Sequence, residues 1–449
     1  MIDTAPSPEK AILAGFERRR GPASAMPARE AAAESFRELR ELALSAGAEI
    51  VGEFFQARPL ADSATLFGEG KVNELKENAE ASQADVVIID NDLSPTQQRN
   101  LEKIIGVRVI DRTQLILDIF AGRARTAEGR LQVELAQLKY LLPRLAGQGL
   151  SLTRQGGGIG TRGPGETKLE TDRRRISVRI KKLEDHLENV RSGRLLHRQS
   201  RIAVPIPTVS LAGYTNAGKS TLFNRITSAG VLADARMFAT LDPTVRALTL
   251  PSKRRILLSD TVGFVRNLPT TLVQAFRATL EEVADAHLIL HVVDVSSDQA
   301  VTQVSEVLRV LAEIEASETP QILVLNKCDR LEGEPVPAAV LGARLLEGTS
   351  RSGSTPVVLV SGRTGLGVPD LLAKLDEVLQ FDLIETVCFR IPMKDGASLA
   401  MLHAHGRVRK EDYQGNICEI EVDAPASLQL RLKRYLVKSD SPQPVEKSV

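Results

Sequence analysis

The chain has 449 residues, room for three domains at the usual ~150 residues each, and its 58 Lys and Arg against 57 Asp and Glu leave a formal net charge of +1. That balance excludes polyanion binding driven by whole-molecule charge, so any nucleic-acid contact must come from a local basic patch. With 43% hydrophobic and 26% charged residues the composition is globular; the three scattered cysteines, Cys328, Cys388 and Cys418, exclude a disulfide framework or zinc ribbon, and 4% aromatics without tryptophan argue against a stacking platform for single strands.

Residues 1–30 carry four prolines and no sustained apolar period, and are expected to form a flexible leader. A small α/β unit is predicted over 31–125: β-rich runs at Glu49–Gln56, Asp85–Asp90 and Val107–Ile110 alternate with helical stretches at Gly70–Glu80 and Pro95–Ile105. Gly68–Lys71 (GEGK) lacks the loop length and the hydroxyl of a phosphate-binding loop and reads as a turn into a helix.

Residues 126–203 contain two apolar series of one spacing: Leu131, Leu135, Leu138, Leu142, Leu145, then Ile176, Ile180, Leu183, Leu187, Val190. Each makes one stripe along a helix, and two such stripes can bury each other as an antiparallel hairpin. The second helix would extend about 45 Å. Between them, 147–165 is too glycine-rich for a helix and forms the tip. From Gly147 to Lys182 nine basic residues face three acids, a local excess of six, so this basic tip is expected to probe folded RNA through its phosphates.

From 204 to 382 strands and helices alternate as in a doubly wound α/β domain. Strands fit Thr208–Ala212, Arg246–Leu250, Arg255–Ser259, His287–Val293, Gln321–Leu325 and Pro356–Val360; helices fit Lys219–Thr227, Leu272–Val283, Ala300–Ile314 and Val368–Leu379. A short link at Pro251 and Ser252 makes one strand antiparallel, hence a mixed sheet of Ras-like type with helices on both faces. A small α/β module is predicted over 383–440, with a helix near Ser398–Arg407 between strands Thr386–Ile391 and Ile417–Val422, and 441–449 is a tail. The apolar run His287–Val295 is about half of the ~18 residues a spanning helix needs, and no signal-peptide core is present, so a cytoplasmic protein without a transmembrane segment is expected.

Gly213–Ser220 (GYTNAGKS) satisfies the P-loop pattern directly after a strand and before a helix. Gly213 and Gly218 permit the turn, the amides of Tyr214, Thr215, Asn216 and Ala217 can approach phosphate, Lys219 spans the β and γ phosphates, and Ser220, followed by Thr221, can ligate Mg²⁺. Asp260, Thr261, Val262 and Gly263 (DTVG) place a carboxylate where it can hold Mg²⁺ through water, with the Gly263 N–H available to a γ-phosphate. Asn326, Lys327, Cys328 and Asp329 (NKCD) follow another strand; Asp329 can accept from the N1–H and N2 amine of guanine, which adenine does not offer. Ser361, Gly362 and Arg363 (SGR) fit the loop that braces guanine from its other side. Taken in this order the four motifs indicate a GTPase with GTP as substrate and GDP as product. The first switch offers Thr240 and Thr244 as the Mg²⁺-binding hydroxyl, and spacing alone does not choose.

Phe264 stands where Ras-type GTPases carry the glutamine that orients water, so unassisted hydrolysis should be slow, about 10⁻⁴ to 10⁻² s⁻¹. The ring could also simply pack beneath the switch. Asn216 could help to hold a monovalent cation such as K⁺, or only stabilise the loop.

GYTNAGKS, FATLDPT (Phe238–Thr244), DTVGF (Asp260–Phe264), NKCD and above all GGGIGTRGPGETKLETDRR (Gly156–Arg174) together resemble the HflX family of translation-factor-related GTPases, over roughly residues 35–440. The resemblance implies that Thr240 is the Mg²⁺-binding threonine, acting in catalysis with Lys219 and Gly263, and that Phe238, Ala239, Leu241 and Asp242 line the nucleotide beside it. It implies a monomer whose partner is the ribosome, chiefly the large (50S-type) subunit and its rRNA, met by the glycine-rich tip near the peptidyl-transferase region. The implied role is splitting or rescuing stalled ribosomes under stress such as heat shock, with hydrolysis stimulated by the ribosome. A subunit-assembly GTPase and an RNA-binding scaffold with a structural G domain remain the alternatives. SGR departs from the SAK or SGK of many G proteins.

Overall fold

The computed structural model describes residues 8–18, 25–145, 164–201, 206–227, 237–238, 243–266, 282–332, 336–349, 351, 355–379, 384–425, 428–429 and 432–437. The chain divides into two compact units, one of Met1–Ser192, Thr208–Leu248 and Leu257–Pro369, the other of Gly193–Pro207, Thr249–Ile256 and Asp370–Val449.

The first unit opens with a four-stranded sheet in the order β2-β1-β3-β4, formed by β1 (Lys10–Arg18), β2 (Glu49–Arg58), β3 (Val86–Ile89) and β4 (Arg108–Asp111). Every pair is parallel. β1 corrects the expectation of a flexible leader: it pairs on both sides, and Ala11–Ala14 are fully buried. The cause is a short continuous apolar run, as suits a strand covered on both faces, hidden in the sequence by the flanking prolines.

Alternation then sorts side chains between two cores. Ala11, Leu13, Val86 and Ile88 meet Leu39, Leu42, Ile116 and Phe120, from α1 (Ala25–Ser45) and α4 (Arg112–Arg123). Ile12, Ala14, Val87 and Ile89 meet Val72, Leu75, Leu101 and Ile105, from α2 (Glu69–Ser82) and α3 (Pro95–Ile105). Local chemistry sets the boundaries of α3: Ser94 and Gln97 make a reciprocal capping box around Pro95, and Gly106 ends the helix in the left-handed region at φ 88°.

The predicted hairpin is present as α5 (Ala127–Leu145) and α6 (Pro164–Arg201), with Leu131, Leu135, Leu138 and Leu142 packed on Ile176, Ile180, Leu183 and Leu187. Arg179 forks onto Glu134 at 2.7 and 2.9 Å, and Lys139 meets Glu184 at 2.7 Å. α5 is not half of a free-standing arm, however. Its opposite face, Val133, Ala136 and Tyr140, lies in the core shared with α1 and α4. Arg144, at its C-terminal end, stacks on the Tyr140 ring at 3.4 Å and donates to the Leu93 carbonyl and to buried Asp111, both at 2.9 Å. Most of the tip, 146–163, lies outside the described residues.

The second sheet of this unit runs β10-β9-β8-β5-β7-β6, built from β5 (Thr208–Gly213), β6 (Thr244–Thr249), β7 (Arg255–Asp260), β8 (Leu288–Asp294), β9 (Gln321–Asn326) and β10 (Val357–Leu359). β10, β9, β8, β5 and β7 pair in parallel, and the tight turn through Leu250–Arg254 reverses the chain between β6 and β7, so the sheet is mixed as predicted. Helices α7 (Lys219–Thr227), α8 (Ala300–Glu313) and α9 (Ala338–Leu345) accompany it, and α10 (Val368–Val378) follows in the chain, nearly all of it in the second unit; the eight residues of α9 carry too short an apolar period to be read from the sequence.

In the second unit an antiparallel sheet has the order β12-β13-β11-β14, from β11 (Ile384–Pro392), β12 (Arg407–Gln414), β13 (Ile417–Pro425) and β14 (Leu436–Val437). α11 (Gly396–His405), capped by Asp395, covers it through Leu402. Only β11 and β13 were predicted. β12 (RVRKEDYQ) is a charged edge strand with a register shift between Val408 and Lys410, which breaks the alternation that would have announced it. Among the described residues no helix is long and apolar enough to cross a membrane.

Candidate nucleotide site

Gly213 ends β5 against β8: a Cβ there would lie 2.2 Å from the Val292 carbonyl oxygen, so only glycine fits. Gly218 has φ +90°, and its Cβ would lie 2.3 Å from Asn326 Nδ2. Asn216 takes the left-handed conformation, φ 60°, that asparagine tolerates best among side-chain-bearing residues. These residues curl the chain so that α7 begins at Lys219 with its first amides turned towards the loop, the arrangement that attracts an anion.

The Lys219 amine folds back on this loop, donating to the carbonyls of Gly213 at 3.0 Å and Tyr214 at 2.9 Å. Burial lowers its pKa to about 8, while the nearby Asp260 carboxylate pulls the other way. Ser220 Oγ donates to Asp260 Oδ2 at 2.7 Å, where Asp260 ends β7 in full burial. These are hard oxygen donors, so the pair fits Mg²⁺. Beyond Asp260, Thr261 Oγ1 donates to the Leu211 carbonyl at 2.5 Å, the Thr215 N–H to the Phe264 carbonyl at 2.8 Å and the Phe264 N–H to the Gly213 carbonyl at 3.1 Å, stitching DTVGF to the P-loop. Gly263 lies beside Lys219: a Cβ there would be 3.1 Å from Nζ. The Phe264 ring is turned into a core with Val283, Ile289, Val307 and Leu311.

NKCD and SGR meet across the end of β9. Asn326 Nδ2 donates to the Ala217 carbonyl at 2.7 Å, and its Oδ1 accepts from the Gly362 N–H at 2.9 Å, tying three motifs together. A hydrogen bond from Ser361 holds the Asp329 carboxyl below the usual range. Lys327, with φ 64°, pairs with Asp294 at 2.6 Å. Burial, then the neighbouring Asp329 charge, raises the Cys328 thiol.

Two residues expected at the nucleotide place their side chains elsewhere. Phe238 packs edge-on against Phe120 with centroids 4.6 Å apart, and Val262 joins it, with Met237 and Val265, in the core of the N-terminal sheet. Apolar side chains on both switch segments found more burial there than a phosphate loop offers. Any contact of theirs with a nucleotide falls to the backbone. Ala239, Thr240, Leu241 and Asp242 lie outside the described residues.

The polar counterpart of this seam was not foreseen. Tyr214 donates to Glu38 at 2.6 Å and accepts from the Arg266 N–H at 2.8 Å. Arg112 grips Glu38 at 2.6 Å and Asp90 at 2.7 Å, and Ser35 donates to Asp90 at 2.5 Å. Burial, then the Glu38 charge, drives the Tyr214 hydroxyl pKa far upward. Glu34 and Glu38, four residues apart on α1, share one helix face, but nothing in the sequence connects that face with the P-loop.

A GTP-binding protein from Sulfolobus solfataricus, solved in complex with GDP, is similar over 82% of this chain and 98% of its own, at 24% identity and a TM-score of 0.43. The family models described as "GTP-binding GTPase N-terminal", "GTP-binding GTPase Middle Region" and "50S ribosome-binding GTPase" match residues 33–121, 123–201 and 208–327. GTPase HflX of Caldanaerobacter subterraneus is 46% identical over 404 residues, 90% of each chain. The Magnetococcus marinus GTPase HflX is 45% identical over 438 residues, 95% of each. That of Escherichia coli K12 is 45% identical over 403 residues, 89% of this chain and 90% of its own. The chain thus belongs to the HflX family of GTPases and is a GTP hydrolase.

Proposed function

We propose that this GTPase binds GTP in the pocket between the P-loop, DTVG, NKCD and SGR, acts on the large ribosomal subunit through its hairpin tip, and splits or rescues stalled ribosomes in the cytoplasm under stress. The observation that carries the pocket is Asn326, which holds Ala217 and Gly362 together and so aligns the phosphate end with the base end. In the bound state the Lys219 amine leaves its two carbonyls for the β and γ phosphates, the P-loop amides line the phosphates, and Asp329 reads guanine. Ser220 would hold Mg²⁺ directly, with Asp260 through water and Thr240 from the first switch; the ion neutralises charge on the phosphates. Asn216 is the candidate ligand for K⁺.

Gly263 donates its N–H to the γ-phosphate, and its neighbour Val262 is rooted in the N-terminal core. Loss of that phosphate on hydrolysis therefore acts on the same seam that supports α5 and the hairpin. The RNA-facing charge includes Arg173, Arg174, Arg175, Lys181 and Lys182, all exposed on α6. With Phe264 buried, the water-orienting group must come from another residue or from the ribosome. GTP turnover with and without purified large subunits tests the reading: a several-fold or greater stimulation is expected, and an unchanged rate overturns the regulated role.

A further inference from the structure

Arg225, on the last turn of α7, belongs to none of the sequence motifs. Its Nε donates to the Gly362 carbonyl at 3.3 Å, and its Nη2 donates to the Arg363 carbonyl. One planar guanidinium therefore holds two successive peptide planes of the SGR loop. Gly362 lies close to α7 as well; a Cβ on it would come within 3.2 Å of the Leu222 nitrogen.

The remaining groups of this loop are accounted for. The Ser361 N–H donates to the Leu366 carbonyl, Gly362 N–H to Asn326 Oδ1, Thr364 N–H to Ser361 Oγ and Gly365 N–H to the Ser361 carbonyl. Among the described residues the Arg363 N–H has no acceptor. In a trans peptide the N–H of one residue points opposite to the carbonyl of the residue before it. Anchoring the Gly362 carbonyl towards α7 thus turns the Arg363 N–H away from α7, while the neighbouring Ser361 holds the carboxyl of Asp329.

We infer that Arg225 is a positioning residue for base recognition: it fixes the Gly362–Arg363 peptide so that the Arg363 N–H is presented to the 6-oxo group of guanine. The inference rests on the guanine pocket proposed above. It also accounts for SGR in place of SAK, since glycine admits the close approach of α7 and Arg225 supplies the anchorage.

Three diphosphates separate the possibilities. IDP lacks the 2-amino group that Asp329 would accept from and keeps the 6-oxo group; 6-thio-GDP keeps both donors to Asp329 and carries sulfur, a weak acceptor, at position 6; ADP tests base preference as such. For the full-length protein and for Arg225→Met, which keeps an unbranched apolar stem, dissociation constants are measured at one salt concentration. GDP affinity is expected to fall about tenfold in the variant, the effect of one misaligned buried hydrogen bond. The GDP to 6-thio-GDP preference should collapse towards one, while the GDP to IDP preference stays. Arg225→Lys, able to hold one carbonyl but not both, should lie between, and serves alone should Arg225→Met not fold. Equal changes in both preferences, or none, overturn the positioning role. A wild-type protein indifferent between GDP and ADP overturns the guanine pocket itself.

Discussion

The hydroxyl of Tyr214, in the P-loop, donates to the carboxylate of Glu38, in the N-terminal helix α1, across 2.6 Å within a buried seam. The two lie 176 positions apart in the chain. Their contact ties the residue after the first P-loop glycine to a domain that carries no nucleotide motif, and Arg112 completes the tie by pairing with Glu38 and Asp90 at once.

Removing one partner from such a seam leaves the other buried and unsatisfied. Tyr214→Phe is expected to destabilise the nucleotide-free protein by about 1–3 kcal/mol. Arg112→Met, which strands two carboxylates, should cost about 3–5 kcal/mol. Urea midpoints measure both, and equal midpoints for wild type and Arg112→Met would contradict the account of the seam.

The Lys219 amine, lowered from 10.5 to about 8 in the folded protein, gives a pH signature. Between those values the unfolded chain carries the proton and the nucleotide-free native state does not, so this group makes stability rise with pH across that window. Phosphates favour the ammonium form, so GDP binding restores the proton. Calorimetry in buffers of different ionisation heat should find uptake of roughly three-quarters of a proton at pH 8.5 and almost none at pH 6.5. Zero uptake at both values would mean that the amine is already charged in its carbonyl cradle.

Asp329→Asn replaces a pure acceptor by an amide that can donate. GDP should bind at least about thirtyfold more weakly, and xanthosine diphosphate more tightly than to wild type. Retained GDP affinity would remove Asp329 from the base site.

On α6, Arg173, Arg174 and Arg175 are exposed and adjacent. Replacing all three by alanine should reduce the slope of log affinity for large subunits against log salt by up to about 3. An unchanged slope would show that they touch no phosphate.

The P-loop, DTVG and NKCD were readable because each is a contiguous string whose backbone geometry dictates its residues; Gly218 is glycine since its φ and Asn326 leave no alternative. Glu38, Arg112, Asp294 and Arg225 are ordinary charges in helices and at strand ends, and they acquire a role only when the fold brings Tyr214, Lys327 or Gly362 against them. Periodicity exposed α3 and the α5–α6 stripe. It concealed the second face of α5, because Val133, Ala136 and Tyr140 interleave with the leucines of the first. It failed at β12 for the opposite reason, charge on both sides of an edge strand.

β1 stands between β2 and β3, and these two do not pair with each other. The matched N-terminal family model begins at residue 33, beyond this strand. A chain cut to begin there would lose the keystone of its first sheet: two ladders would open at once, and Ile12 and Leu13 would vanish from opposite cores. Trimming of what reads as a dispensable proline-rich end would thus dismantle the platform on which the switch-side residues Phe238 and Val265 are seated.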